Sequence, residues 1–258
     1  MNNPDDVMRL VSPAAVLKQI AAAVPEDCRE NIIIIGSLAA GYHFFGDNAS
    51  LMVRTKDADC LLSPRVEAIS AGVAVTERLL QQNWQFRPDA KWSTPGNEST
   101  PDDQLPAVRL NPPGMPDWFI ELLTVPESST DMKKRWVRLA TSVGHFGLCS
   151  FGFLSLANYR PIIPTPLGIA IARPELMALA NLLEHPEIRP ETMSGLIAAR
   201  EIKRSNKDLG RVLAIARLSI ARNEDALLDW PGIWREAMQA RFPDTWQTLV
   251  GETGAGLR

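Results

Sequence analysis

Residues 31–62, NIIIIGSLAAGYHFFGDNASLMVRTKDADCLL, contain the pattern that decides the fold. The four isoleucines at 32–35 form a short β-branched run that ends at Gly36, and such a run predicts a buried strand. The apolar and small residues at 37–45 predict a helix directly after that strand. A second short strand is predicted at 58–62. The segment therefore begins strand, helix, strand.

Two helix-start signals flank this segment. Ser12-Pro13 and Ser63-Pro64 each place a capping serine and a first-turn proline before an apolar run. They predict one helix over the following apolar residues and a second, longer helix that reaches Gln82. Alternating strands and helices are typical of α/β or α+β proteins and exclude an all-β fold.

The rest of the chain divides into two kinds of sequence. Residues 88–116 are rich in proline and turn-forming residues, which predicts a long loop around a strand at 107–110. A stronger strand is predicted at 118–125. From Arg173 onward the pattern is helical. We therefore predict an α+β chain with an α/β domain at 1–172 and a helical domain at 173–258.

Composition narrows the class of protein. The chain has 258 residues, with 27 Lys and Arg against 30 Asp and Glu and a formal net charge of −3, which excludes a basic nucleic-acid binder as a description of the whole chain. Its three cysteines include no C-x-x-C pair, so neither a disulfide framework nor a zinc knuckle is indicated. No signal peptide or membrane-length apolar run is found, which predicts a cytoplasmic protein without a membrane partner.

The sequence does not support a P-loop or a histidine metal site. Gly36 and Gly41 have the first spacing of a P-loop, but Tyr42 and His43 stand where that loop needs Lys and Ser or Thr. The histidines lack the spacing of metal ligands and are predicted to be structural or solvated; they are His43, His145 and His185.

Three acidic residues suggest a cation site. On a strand, Asp57 and Asp59 point to one face about 6.5–7 Å apart, and they repel unless a cation lies between them. Oxygen ligands suit Mg²⁺, and two such ions can clamp the attacking and leaving oxygens of a phosphoryl transfer. Glu121 lies in an apolar strand, where a carboxylate is costly without a partner. That partner is either a metal shared with the aspartates or Arg109; the aspartates alone would also suit a solvated turn.

Gly36-Ser37 lies where the predicted strand meets a helix. A helix N-terminus offers unpaired N–H groups and the positive end of the helix dipole, both of which favour phosphate. Glycine lets the phosphate approach the backbone, and the serine hydroxyl adds a donor. A tight turn is the simpler interpretation of these two residues alone.

The motifs together resemble the nucleotidyltransferase (polymerase β-like) superfamily. Its signature is a strand, Gly-Ser or Gly-Gly, a helix, and a strand that carries two acidic residues, with a third on a later strand. The sequence Arg54-Thr55-Lys56-Asp57-Ala58-Asp59 is most similar to the AbiEii-like, toxin-type bacterial enzymes, which carry a Lys-Asp motif in a helical C-terminal half. Lys207-Asp208 resembles that motif.

The resemblance implies a mixed β-sheet with flanking helices and a mainly helical C-terminal region. It implies Mg²⁺-dependent transfer, with Mn²⁺ as a substitute, of a nucleoside monophosphate from an NTP to a tRNA, protein or small-molecule acceptor. A role as the toxin of a toxin–antitoxin pair, with an antitoxin protein as partner, also follows. The implied catalytic and metal residues are Asp57, Asp59 and Glu121, and the implied nucleotide-binding residues are Gly36, Ser37, Arg54, Lys207 and Asp208.

The C-terminal half departs from the family pattern. Arg211 stands where a second aspartate is common, and Ala180-Asn181 stands where a lysine is expected. These departures favour a second hypothesis, a catalytically silent nucleotide-binding or interaction protein of the same fold. Two basic clusters, at 133–138 and 196–222, are candidates for contacting phosphates, with a solvated surface as the alternative.

Overall fold

A computed structural model describes residues 9–88, 93–127, 135–187 and 202–256. The strands of the described residues all lie before residue 172, where three helices are interspersed among them, and the last third is mainly helical. In chain order the elements are β1 (Arg9–Val11), α1 (Pro13–Ala23), β2 (Ile32–Ile34), α2 (Gly36–Phe45), β3 (Val53–Thr55), β4 (Asp57–Leu62), α3 (Arg65–Gln81), β5 (Gln85–Phe86), β6 (Arg109–Asn111), β7 (Phe119–Thr124), β8 (Arg135–Thr141), β9 (Gly144–Ser150), β10 (Ile163–Pro164), β11 (Ala170–Ile171), α4 (Pro174–Glu187), α5 (Arg204–Arg222), α6 (Trp230–Arg241) and α7 (Trp246–Gly256).

The main sheet is mixed. Its strands follow the order β10-β11-β2-β4-β7-β6-β5, and β9 pairs with β7 and with β8. The centre consists of β2, β4 and β7, in which β4 runs antiparallel to β2 and parallel to β7. These three strands are almost wholly buried, which explains their continuous apolar runs. A separate two-stranded sheet joins β1 to β3.

The predicted central elements are present, with small differences at their ends. Ser12 caps α1, where its side chain accepts a hydrogen bond from the Ala15 N–H at 3.4 Å. The N-cap of α3 is Pro64 and makes no side-chain cap bond, so the predicted cap at Ser63 is wrong.

One longer element differs from the sequence prediction. The hairpin of β8 and β9 is not among the sequence predictions, which mark 133–138 only as a basic cluster, because neither strand alternates polar with apolar residues. Within the region predicted to be helical, α5 begins at Arg204. Residues 188–201 of that region lie outside the described residues, as do Lys133 and Lys134 of the first basic cluster.

Two apolar clusters hold the molecule together. The larger lies around the central strands and the helices that flank them. The smaller joins the short 3₁₀ segment Gly152–Leu156 to α4, α6 and α7, with the rings of Phe153 and Phe242 edge to face at 5.6 Å. The architecture is thus a mixed sheet with flanking helices followed by C-terminal helices, as predicted. No helix among the described residues combines the length and apolar character that a membrane crossing requires.

Candidate functional site

A cavity of about 370 Å³ lies between the sheet and the helices α4 and α5. It collects most of the predicted site residues from distant parts of the chain. Its polar lining consists of Asp57, Asp59, Arg109, Glu121, Asn181, Glu184, Lys207, Asp208 and Arg211, with Gly36 at the edge. The fold brings polar residues that are more than a hundred positions apart in the sequence into this one cavity. We therefore take it as the candidate site.

The floor of the cavity is acidic, and we call Asp57, Asp59 and Glu121 the acidic floor. Asp57 and Asp59 are two residues apart on β4 and share a face of the sheet. Parallel pairing of β4 with β7 places Asp59 directly beside Glu121. The buried Thr55 hydroxyl donates to the Asp57 carboxylate at 2.7 Å and so fixes its orientation.

Glu121 has a cationic partner within the sheet. Arg109 stands opposite it in the antiparallel pairing of β6 with β7. The Arg109 Nε and Nη2 groups donate to the two carboxylate oxygens of Glu121, each at 3.1 Å. Of the two partners that the sequence allowed for Glu121, the structure thus places Arg109 in contact. Among the described residues, no group of three or more His, Cys, Asp or Glu is arranged to hold one metal ion.

Asp59 lies in the most demanding environment of the acidic floor. Burial raises the pKa of its carboxyl group well above the usual range, and the charges of Asp57 and Glu121 raise it further. The cations Arg211 and Lys207 oppose that shift without cancelling it. Negative charge at this point is therefore only partly compensated by the protein's own groups.

Gly36 meets Asp59 at the start of α2. Its φ of 70° lies in the left-handed region, which a side chain disfavours. A Cβ atom at this position would lie 2.9 Å from the Asp59 Oδ2 atom. Glycine is therefore required twice, for the turn from β2 into α2 and for the close approach to the carboxylate.

Ser37 and Arg54 line a second cavity of about 250 Å³, next to the first. Helices α2 and α5 and the strand β3 surround it, and most of its lining is apolar. The two cavities share four lining residues, which are Gly36, Met177, Asn181 and Arg211. The structure thus places the predicted phosphate-binding Ser37 beside the first cavity, with Gly36 and Arg211 between them.

The opposite wall carries positive charge from α5, and we call Lys207 and Arg211 the cationic wall. They lie one helical turn apart and both line the first cavity. Asp208 between them is 3% exposed and accepts a hydrogen bond from the Arg211 Nη1 group at 3.5 Å. Arg211, which departs from the family pattern, therefore forms an ion pair with the predicted Asp208.

Other predicted basic residues have structural partners instead. Arg222, the last residue of α5, donates to the carbonyl groups of His43 and Phe44 at the end of α2. Arg138 contacts Asp102 and His145 and so holds the proline-rich loop against β8. Neither arginine lines the cavity, and the contacts of both stabilise the fold.

Part of the cavity lining is not among the sequence predictions. It is apolar and comes from the segment after β9 and from α4. Its residues include Phe151, Phe153, Leu154, Ala157, Leu176 and Met177. Apolar residues at these positions are indistinguishable from core residues in the sequence, so no local signal marked them.

A magnesium ion fits two of the three predicted ligands. Asp57 and Asp59 are hard oxygen donors on one face, and a cation would relieve the repulsion that raises the Asp59 pKa. Glu121 fits less well, because both of its oxygens accept hydrogen bonds from Arg109. The donor set thus suits a cation held by the two aspartates.

The fold and this cavity define an α+β protein with an acidic sheet floor facing a cationic helical wall. In comparison with solved structures, the chain is similar to an antigenic nucleotidyltransferase-like protein from Paracoccidioides brasiliensis. The identity is 13% and the TM-score 0.38, over 93% of this chain and 94% of that one. No protein-family model and no curated protein matches the chain.

Proposed function

We propose that the protein is a nucleotidyltransferase that moves a nucleoside monophosphate from an NTP to an acceptor. The observation that supports this most strongly is the single cavity in which Asp57 and Asp59 face Lys207 and Arg211 beside Gly36. A magnesium–triphosphate needs both oxygen ligands for the ion and cations for the phosphates. These residues supply both kinds of group within one cavity.

In the proposed reaction an acceptor oxygen gives up its proton to water and attacks the α-phosphorus, and the bond to the bridging oxygen breaks and releases pyrophosphate. Asp57 and Asp59 would hold Mg²⁺, which when bound withdraws electron density from the phosphoryl group and stabilises the developing charge. Lys207 and Arg211 would bind the phosphate oxygens, and Asp208 would orient Arg211. Gly36 lets the triphosphate approach the backbone N–H groups at the start of α2.

The apolar part of the cavity lining suits the nucleoside. Phe151 and Leu154 offer carbon surface on which a planar base can pack. A nucleotide combines an anionic group with a planar, weakly polar base, and the cavity lining holds both charged and apolar side chains. Ser37 and Arg54 would contact the distal phosphates from the adjoining cavity.

The resemblance to toxin-type enzymes supplies the candidates for the acceptor. These are tRNA, a protein or a small molecule, with an antitoxin protein as the binding partner of a cytoplasmic toxin. The net charge of −3 favours an acceptor with a small footprint over a long RNA.

Incubation with each labelled NTP, Mg²⁺, total cellular RNA and cellular protein tests the proposal. We expect label to transfer to one acceptor, and to require Asp57 and Asp59. Transfer that persists in Asp57→Asn and Asp59→Asn would contradict the assignment of the site.

A catalytically silent nucleotide-binding protein is the second candidate. Two ion pairs favour it, because Glu121 is paired with Arg109 and Asp208 is paired with Arg211. For this candidate, nucleotide binding would occur with no transfer to any acceptor.

A further inference from the structure

One row of charged side chains crosses three neighbouring strands of the sheet. Asp59 on β4 is in register with Glu121 on β7, and Glu121 is in register with Arg109 on β6. Residues in register on adjacent strands point to the same face, about 4.8 Å from strand to strand. The row therefore consists of two carboxylates followed by a guanidinium group, and the pairing of the strands sets this order.

Arg109 is held in this row by more than charge. Its guanidinium group makes two parallel hydrogen bonds to Glu121, the geometry that suits a carboxylate best. The same group lies 5.9 Å from the centre of the buried Phe119 ring, two residues before Glu121. The Glu121 side chain is 15% exposed and the Arg109 side chain 34%, so the carboxylate is the more shielded partner of this ion pair.

We infer that Glu121 is a positioning partner of Arg109 rather than a cation ligand. The aspartates on β4 then form a site for one divalent cation, and Arg109 supplies the positive charge that a second cation would otherwise bring. This inference rests on the proposed function for the presence of a cation. It differs from the role that the family resemblance implies for Glu121, which is that of a third metal ligand.

The Arg109–Glu121 ion pair and the formal charge of the cavity support one cation rather than two. Three cationic side chains line the cavity against five carboxylates, so the formal charge of −2 is balanced by one divalent ion; the cations are Arg109, Lys207 and Arg211, and the carboxylates are Asp57, Asp59, Glu121, Glu184 and Asp208. A second divalent ion beside Glu121 would have to displace the Arg109 guanidinium and break two charge-assisted hydrogen bonds to a half-buried carboxylate.

Mn²⁺ binding to the full chain, measured by electron paramagnetic resonance, tests the inference without any transfer assay. We expect one tightly bound Mn²⁺ per chain in the wild type. Asp59→Asn should weaken that binding at least 100-fold, whereas Glu121→Gln should change it less than threefold. Arg109→Gln should release Glu121 and either add a second Mn²⁺ or tighten binding at least fivefold.

Two controls make the result specific. Arg87→Gln removes a cation 4.8 Å from the centre of the same Phe119 ring and should leave Mn²⁺ binding as in the wild type. Arg109→Lys keeps the charge without the paired hydrogen bonds and should keep the stoichiometry at one. Thermal unfolding of each variant shows that the chain is folded when binding is measured.

The outcomes separate the two proposals. If Glu121→Gln loses Mn²⁺ as completely as Asp59→Asn does, or the wild type binds two ions, the inference about Glu121 is wrong and the proposed function stands. If the folded wild type binds no Mn²⁺ with or without an NTP, the cation-dependent function itself is wrong, and the inference fails with it.

Discussion

The acidic floor and the cationic wall hold their charges in different ways. On the floor, strand pairing fixes Asp59 beside Glu121, and the carboxylates cannot separate to relieve their repulsion. On the wall, Lys207 and Arg211 carry their charges at the ends of long side chains of one helix. A fixed carboxylate responds to its neighbours through its pKa, whereas a long cationic side chain responds by moving. Changes to the floor should therefore have larger effects than changes to the wall.

The largest effect is expected at the floor. Asp59→Asn removes one of two carboxylates available to a cation, and we expect Mg²⁺-dependent NTP affinity to fall at least ~100-fold, about 3 kcal/mol. Isothermal titration calorimetry with and without Mg²⁺ measures the change. Asp47→Asn is the control, at an exposed aspartate outside the cavity that contacts Lys18 at 3.7 Å and accepts a hydrogen bond from the Tyr42 hydroxyl at 3.4 Å. Equal loss in both variants would show that the floor has no special role.

The next effect concerns the contact between α2 and the floor. Gly36→Ala forces a side chain into a positive φ and within 2.9 Å of the Asp59 carboxylate. We expect a loss of ~2 kcal/mol or more in the free energy of unfolding, together with weaker NTP binding.

Gly46→Ala separates these two causes. Gly46 also has a positive φ, of 57°, but no atom lies within 4 Å of an added Cβ. It should lose ~1–2 kcal/mol of stability from backbone strain alone and keep normal NTP affinity. If urea unfolding and calorimetry find the two variants alike in both measurements, the close approach to Asp59 has no functional role.

A smaller effect is expected on the wall. Lys207→Ala should weaken NTP binding ~10-fold at low salt, and the difference should shrink as salt screens the interaction. Mg²⁺ binding to the floor should change little. Arg217→Ala removes an exposed cation from the same helix and is the matched control. A loss that does not depend on salt would contradict an electrostatic role for Lys207.

The smallest effect is on stability and depends on pH. Because the Asp59 pKa is raised in the folded chain, the folded state keeps a proton that the unfolded chain releases above about pH 4. The free energy of unfolding should therefore fall as pH rises from about 4 until the folded-state pKa is passed. Without divalent cations, Asp59→Asn should escape this loss and unfold ~2–4 °C higher at neutral pH for each kcal/mol gained.

Calorimetric melts from pH 3 to 8 measure this difference. The melting temperatures of the wild type and Asp59→Asn should differ least at the acidic end of the range, and the difference should grow as the pH rises. A constant difference across the range would mean that the Asp59 carboxyl group is not the source.

The sequence determined the elements that form the floor. A β-branched run must be buried, a glycine must follow where the backbone turns sharply, and alternate residues of a strand share a face. These local rules gave β2, α2 and β4 and placed Asp57 and Asp59 on one side. They could not reveal the hairpin of β8 and β9, because polar and apolar residues do not alternate along either strand and their burial depends on the neighbouring elements.

Only the tertiary structure decided which partner each charge meets. The sequence allowed Glu121 either a shared metal or Arg109, and strand register placed Arg109 opposite it. It allowed a basic stretch at 196–222 either ligand or solvent, and helix packing turned Lys207 and Arg211 to the cavity while Arg222 closed the end of α2. Local sequence sets which face a side chain occupies. Contacts between residues far apart in the chain set what lies across from it, because they depend on how the elements pack.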